Sequence, residues 1–251
     1  RFRETQSSTE SSKKRMTRSA QLAKDATFHA DSSFIDHINS NTSIPWTAKA
    51  HEHLEGKSMS DILQMLGHRQ FKEVVRQRPS HATPTLRHPA SFAQQHEKDS
   101  SLPAIFDWRK IDGGVYMTPV IEQGGCGSCY AVSSVDVASM RYRIKHGASN
   151  KQALKVRLSP QHVVGCSRTN QGCDGGYPYL VGMHGVQHGF VPQSCQPYSG
   201  DNQCRAECFS NSEVIHATDY RYIGGYYGAS NEKDMMYALK RGPIVIAINA
   251  P

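Results

Sequence analysis

The chain has 251 residues, long enough for one or two domains with a real core, and a formal net charge of +7. Residues 1–30 hold seven Lys or Arg against three Asp or Glu, so +4 of that charge sits in a Ser- and Thr-rich leader. The remainder is nearly balanced, without the basic stripe and interleaved aromatics of a nucleic-acid groove, and no apolar run approaches the ~20 residues of a membrane span.

In chain order, residues 1–33 read as a low-complexity, solvated leader. Residues 34–101 form a second region. It carries scattered apolar anchors at Phe34, Ile35, Ile38, Trp46 and Leu54, then a short helix from Met59 to Leu66 stopped by Gly67. Its last part, from Arg76, is a linker open to proteolysis, because Pro79, Pro84 and Pro89 forbid long helices. The sequon Asn41-Thr42-Ser43 is compatible with secretory passage. At Leu102-Pro103 the composition changes: aromatic and β-branched residues, cysteines and regular periodicity begin, which sets a third region at 102–251.

The most informative stretch is Gln123-Gly124-Gly125-Cys126-Gly127-Ser128-Cys129-Tyr130. A glycine-rich turn runs directly into Ala131–Met140, with apolar residues at helical spacing and no Gly or Pro, so an amphipathic helix of about four turns is predicted, ending near Gly147. A cysteine at such a junction faces unpaired backbone N–H groups and the positive end of the helix dipole, both of which favour thiolate and lower its pKa. Cys126 and Cys129 also fit two blander readings. Zinc would want a second close Cys or His pair, and Cys166 and Cys173 are too widely spaced. A redox pair would want a βαβ setting, whereas Asp112-Gly113-Gly114 precedes this turn.

Further on, Ser159 and Pro160 are the N-cap and first residue of a short helix. Tyr179–His188 reads as helix before Gly189, and Asn231 caps another that runs to about Arg241. Pro243–Ile248 then reads as a buried strand. Helices early and a strand late suit a two-lobed α+β architecture. His184 and His188 have i, i+4 spacing, but Gly185 stands where a zincin carries Glu, so a partly exposed helical face is expected and no metal. All seven cysteines lie between Cys126 and Cys208, which fits three disulfides and one free thiol in a secreted or lysosomal enzyme. Six cysteines allow fifteen connectivities, so sequence leaves the pairing open.

These motifs together resemble the papain-like cysteine peptidases. The resemblance rests on the 123–130 stretch, on Leu102-Pro103 with Phe106-Asp107-Trp108-Arg109, on Leu158-Ser159-Pro160-Gln161, and on Gly172-Cys173-Asp174-Gly175-Gly176-Tyr177-Pro178. Within the family the chain is most similar to the cathepsin C, or dipeptidyl peptidase, branch. The residues that discriminate are Gly175–Leu180, Cys195-Gln196-Pro197-Tyr198 and Tyr222–Gly228, while Phe34–Gly67 resembles that branch's propeptide. The implied fold is α+β and papain-like, a helical lobe with an incomplete β lobe, preceded by propeptide and leader.

The resemblance implies roles residue by residue. Cys129 is the nucleophile that forms an acyl-enzyme, and Gln123 with the Cys129 backbone N–H stabilises the oxyanion. Gly175 and Gly176 line the cleft and let substrate backbone approach closely. Cys126 pairs with Cys173, Cys166 with Cys204, and Cys195 with Cys208, leaving Cys129 free. Tyr177, Tyr179 and Tyr222 fall at the chloride site of the cathepsin C branch; a bound chloride is the one cofactor implied. The default for such tyrosines is a core aromatic with a solvated hydroxyl.

Two departures qualify the expectation. The family's catalytic His and Asn lie 130–150 residues after the cysteine, which projects to about positions 260–280, so a C-terminal segment or chain must supply them and residues 1–251 alone should have little activity. Only 33 residues precede the propeptide-like segment, so the exclusion domain that gives dipeptide release is not in view. The expectation is therefore a zymogen, or a fragment of one, that acts on peptides or proteins in a lysosomal, vacuolar or secreted setting, with homo-oligomerisation implied by the branch. The contrasting readings are a catalytically incompetent binding protein that keeps the cleft, and a plain disulfide scaffold.

Overall fold

The computed structural model describes residues 26–66, 102–211 and 213–248. The leader before residue 26, the stop at Gly67 and the linker prolines Pro79, Pro84 and Pro89 lie outside the described residues. The chain divides into two compact units, residues 1–64 and 65–251.

The first unit is held by local polar contacts. Asp31 caps α1 (Ser32–Ser40) by accepting the Phe34 N–H at 3.0 Å, and α2 (Met59–Met65) follows a single bridge between Thr27 and Ser58. Asn39 and Ala48 exchange two hydrogen bonds, 3.0 and 2.7 Å long. Neither helix has a buried residue. Of the predicted anchors, Ile35, Ile38 and Leu54 are half-buried, whereas Phe34 and Trp46 are exposed.

The second unit is organised around α3 (Cys129–His146), five turns rather than four, which packs on α4 (Pro160–Cys166) and α5 (Pro178–Gln187). Short 3₁₀ turns at Trp108–Gly114, Ala153–Lys155 and Gly172–Asp174 connect them. Tyr130, Ala131, Val135, Ser139 and Arg143 of α3 are buried, a mostly four-residue spacing that marks one helix face. They meet Leu158, Val163, Val164, Val181 and Phe190 in one core. The predicted amphipathic pattern is only partly right. No residue from Tyr130 to Met140 is fully exposed, and the buried face ends in polar groups.

Those polar groups are all partnered, as burial requires. Ser139 Oγ donates to the Val135 carbonyl (2.9 Å) and accepts the Leu158 N–H (3.1 Å). Arg143 donates to the carbonyls of Val156 and Met117 at 3.0 and 2.8 Å. α4 begins as read, with Ser159 Oγ accepting the His162 N–H at 3.0 Å and Pro160 in the first turn. α6 (Glu207–Asn211) is a single short helix, and α7 (Glu232–Lys240) is capped by Asn231.

Two expectations are corrected here. Pro243–Ile248 forms no strand; Ile246 is 65 % and Ile248 83 % exposed. A strand is stabilised by its ladder partners, and among the described residues only isolated bridges occur, at Leu158–Pro192 and Phe190–Ile215 in this unit. His184 is not on a partly exposed face: it is 3 % exposed beside fully buried His162, and only His188 is exposed. A helix face reads as polar from its residue types, but the neighbour that covers it comes from distant sequence.

Candidate active site

Cys129 is the first residue of α3, exposed, and the one cysteine not in a disulfide. The other six form Cys126–Cys173, Cys166–Cys204 and Cys195–Cys208, the same pairs the family resemblance implies. The first bridge joins the turn before Cys129 to the loop that carries Gly175 and Gly176.

That loop is fastened in three further ways. Gly127 N–H donates to the Cys173 carbonyl (2.8 Å), Tyr130 Oη donates to the Gly172 carbonyl (3.0 Å), and Asn202 Oδ1 accepts the Cys173 N–H (2.7 Å). Gly175 has φ of 119°, a conformation that excludes most side chains. Gly176 lies so close to Tyr130 that a Cβ would stand 2.6 Å from its ring and 2.5 Å from Asn170 Oδ1. Both glycines are thus demanded by geometry. Tyr177, the residue before α5, gives its N–H to Asn170 Oδ1 at 2.9 Å.

Gln123 is half-buried, and its side-chain amide donates to the Cys126 carbonyl at 2.9 Å, inside the same turn that ends at Cys129. The first-turn N–H groups of Cys129 and Tyr130 bear on the thiol and favour its ionised form. Although Cys129 as a whole residue is exposed, desolvation of the thiol group acts against them and is the larger effect, so the thiol is pushed up from its ordinary value. A helix start alone does not overcome the desolvation of Sγ, and no imidazole among the described residues acts on it. In a papain-type pair the compensating charge comes from imidazolium.

Of the three tyrosines singled out from sequence, Tyr179 and Tyr222 converge. The rings of Tyr179 and Tyr222 stack with centroids 4.6 Å apart and planes 5° apart. Tyr220 meets Tyr179 edge-on at 4.8 Å, and Tyr227 meets Tyr222 at 5.7 Å. Tyr220 and Tyr227 were not foreseen as members. Asn170, Asn202 and Ser128 were also missed: the contacts of Asn202 and Ser128 join residues 29 and 70 positions apart, and the Asn170 bond to Tyr177 depends on the course of the loop between them.

Residues 102–251, more than half the chain, match the family model described as papain family cysteine protease. This chain belongs to that family. It is 33 % identical over 223 residues to cathepsin C of Schistosoma mansoni, covering 87 % of this chain and 46 % of that protein. It is 31 % identical over 157 residues to papain of Carica papaya, covering 62 % of this chain and 41 % of that protein. The chain thus spans less than half the length of either relative. Among solved structures, one of the mite allergens Blo t 1 and Der p 1 aligns with a TM-score of 0.55 at 21 % identity, over 95 % of this chain and 67 % of that one. Digestive procathepsin L 3 of Tenebrio molitor aligns with a TM-score of 0.53 at 18 % identity, over 95 % and 66 %. At such identities the structures speak for the papain-like fold alone.

Proposed function

We propose that this chain carries the nucleophile half of a cathepsin C-like dipeptidyl aminopeptidase. The observation that carries the reading is Cys129. It alone of seven cysteines is unbridged, and it begins the central helix inside a turn stapled to the Gly175-Gly176 loop. In the reaction the Cys129 thiolate attacks the scissile carbonyl carbon, and the Gln123 amide with the Cys129 N–H stabilises the resulting oxyanion. The leaving amine takes a proton from the family's imidazolium, and water then releases the acid from the thioester. The histidine and asparagine for this step would come from a downstream segment or chain.

Two observations support the dipeptidyl branch. The likeness to Schistosoma cathepsin C extends over 87 % of the chain, beyond the 62 % shared with papain, and the stacked Tyr179–Tyr222 pair offers hydroxyls that can donate to a chloride with Tyr177 nearby in sequence. Among the described residues no helix is long and apolar enough to cross a membrane, and the three disulfides fit a lysosomal, vacuolar or secreted place of work.

The test compares an unblocked dipeptide amide with its N-acetylated form, using the intact natural protein and its Cys129→Ala variant in chloride and chloride-free buffer. Cleavage of the unblocked substrate alone, dependent on chloride and abolished by Cys129→Ala, is expected. Equal cleavage of both substrates overturns the dipeptidyl reading and leaves the peptidase one. A second reading is a cleft-bearing binding form without turnover, in which no imidazolium offsets the desolvation of the Cys129 thiol. Under that reading Cys129 is no more reactive to iodoacetamide at pH 6 than a free thiol of ordinary pKa.

A further inference from the structure

A serine at a helix N-cap ordinarily turns its oxygen onto an N–H of the first turn. Ser128 occupies that place before α3, is fully buried, and makes no such bond. Its Oγ lies instead 2.5 Å from the hydroxyl of Tyr198, 70 residues further along. The Tyr198 hydroxyl in turn donates to the backbone carbonyl of Gln123 at 2.8 Å. A phenol has one proton, so with that proton on Gln123 the bond to Ser128 runs the other way, from Ser128 O–H to the Tyr198 oxygen. A directed chain therefore spans the whole turn, from the residue before Cys129 to the residue that carries the side-chain amide.

The backbone on either side of Tyr198 is itself held. Fully buried Gln161 of α4 accepts the N–H groups of Ser199 and Gly200, both at 3.0 Å, and donates to the Asp201 carbonyl at 2.8 Å. On the other side, Ser159 Oγ donates to the Gln196 carbonyl at 2.6 Å. The segment that carries Tyr198 is thus anchored by α4 and its cap Ser159. Burial pushes its phenol up, which keeps the donor proton in place at physiological pH.

We propose that Tyr198 is a positioning residue for the Cys129 site: it clamps both ends of the 123–128 turn and holds the Ser128 hydroxyl away from the N–H groups that bear on the thiol. The proposal rests on the peptidase reading above. With Ser128 drawn to Tyr198, no side-chain oxygen competes for the first turn of α3. The N–H groups of Cys129 and Tyr130 stay directed at Sγ, and the Gln123 backbone cannot drift relative to Cys129. A misplacement of about 1 Å at such a site costs on the order of 10²-fold in rate, so loss of one clamping bond is expected to act on kcat.

The experiment uses the intact natural protein with Tyr198→Phe, Ser128→Ala and the double variant. It reads kcat and KM on a peptide substrate with concentrations fixed by active-site titration, together with the pH profile of Cys129 alkylation by iodoacetamide. Each single variant is expected to lower kcat about tenfold with KM within about twofold, and Tyr198→Phe alone to move the alkylation midpoint upward, since Ser128→Ala leaves no hydroxyl to compete for the first-turn N–H groups. The double variant is expected to be no worse than the worse single one, because the two hydroxyls act as one unit. An unchanged kcat per titrated site in Tyr198→Phe, or fully multiplicative effects, overturns the proposal. Should wild type cleave no peptide, the peptidase reading falls and the alkylation profile alone decides: a shift supports Tyr198, an unchanged profile overturns it. Ser128→Ala, which removes the same clamping bond from the other side, carries the kcat comparison if Tyr198→Phe does not fold.

Discussion

Helices α3 and α7 are built on opposite principles. Asn231 caps α7 by accepting the Asp234 N–H at 3.0 Å, Glu232 and Asp234 stand in its first turn, and Lys240 in its last, yet none of its residues is buried. α3 has no side-chain cap and no acid in its first turn, but its face is buried in the core against α4 and α5. α7 is a helix by local signals, tied down by a few long-range bonds such as Trp108 Nε1 to the Leu239 carbonyl at 2.7 Å. Packing makes α3 a helix and frees its N-terminus from the devices that normally occupy it. An acid or a cap at that end would compete with a thiolate for the same N–H groups. The site exists because the core relieves the helix start of its ordinary stabilising residues.

The contrast can be broken most severely at the Cys126–Cys173 bridge, which closes a separation of 47 residues around the α3 turn. Replacing both cysteines by serine should reduce the free energy of unfolding by about 4 kcal/mol in the chain-entropy account, read by urea denaturation. A change under about 1 kcal/mol would show that the core holds α3 without the staple.

Acid should act on the same packed region. His162 and His184 sit in the core side of α4 and α5, where burial depresses each to about 4; the exposed His188 beside His184 adds to the effect there. Phe209 covers His162, with ring centroids 4.2 Å apart. Folding therefore favours the neutral rings, and the unfolded chain binds more protons. Stability from these groups is complete above the unfolded value near 6.5 and is lost as pH falls from there toward 4. Between pH 7.5 and 4.5, His162 alone should account for on the order of 2 kcal/mol. His162→Phe should flatten the urea-midpoint profile over this window. A slope as steep as wild type would assign the acid sensitivity elsewhere.

The smallest effect is expected at α7. Asn231→Ala removes a cap from a helix with no buried residue and should destabilise by about 1 kcal/mol. Hydrogen exchange should place the loss in residues 232–240 and leave the amides of α3 unchanged. Equal deprotection of α3 would show that the two helices unfold as one unit and would blunt the distinction.

What was legible in the sequence follows this division. The ends of α4 and α7 could be read because Ser159-Pro160 and Asn231 act within four residues of themselves. The 123–130 stretch announced a nucleophile for the same reason: turn, cysteine and helix are contiguous. By contrast Ile244–Ile248 has the residue types of a buried strand and is not one, since β-branched residues specify a strand only where a partner covers them.

By itself, the amino-acid order determined the family and the placement of most helices, because those depend on short-range chemistry and on residue motifs. Tertiary structure decided the rest. It set the buried state of His184, the convergence of four tyrosines, the balance that raises the Cys129 thiol, and the Ser128–Tyr198–Gln123 chain. Each of these is a desolvation or a hydrogen bond between residues brought together only by folding, and neither quantity is a property of any stretch of sequence read alone.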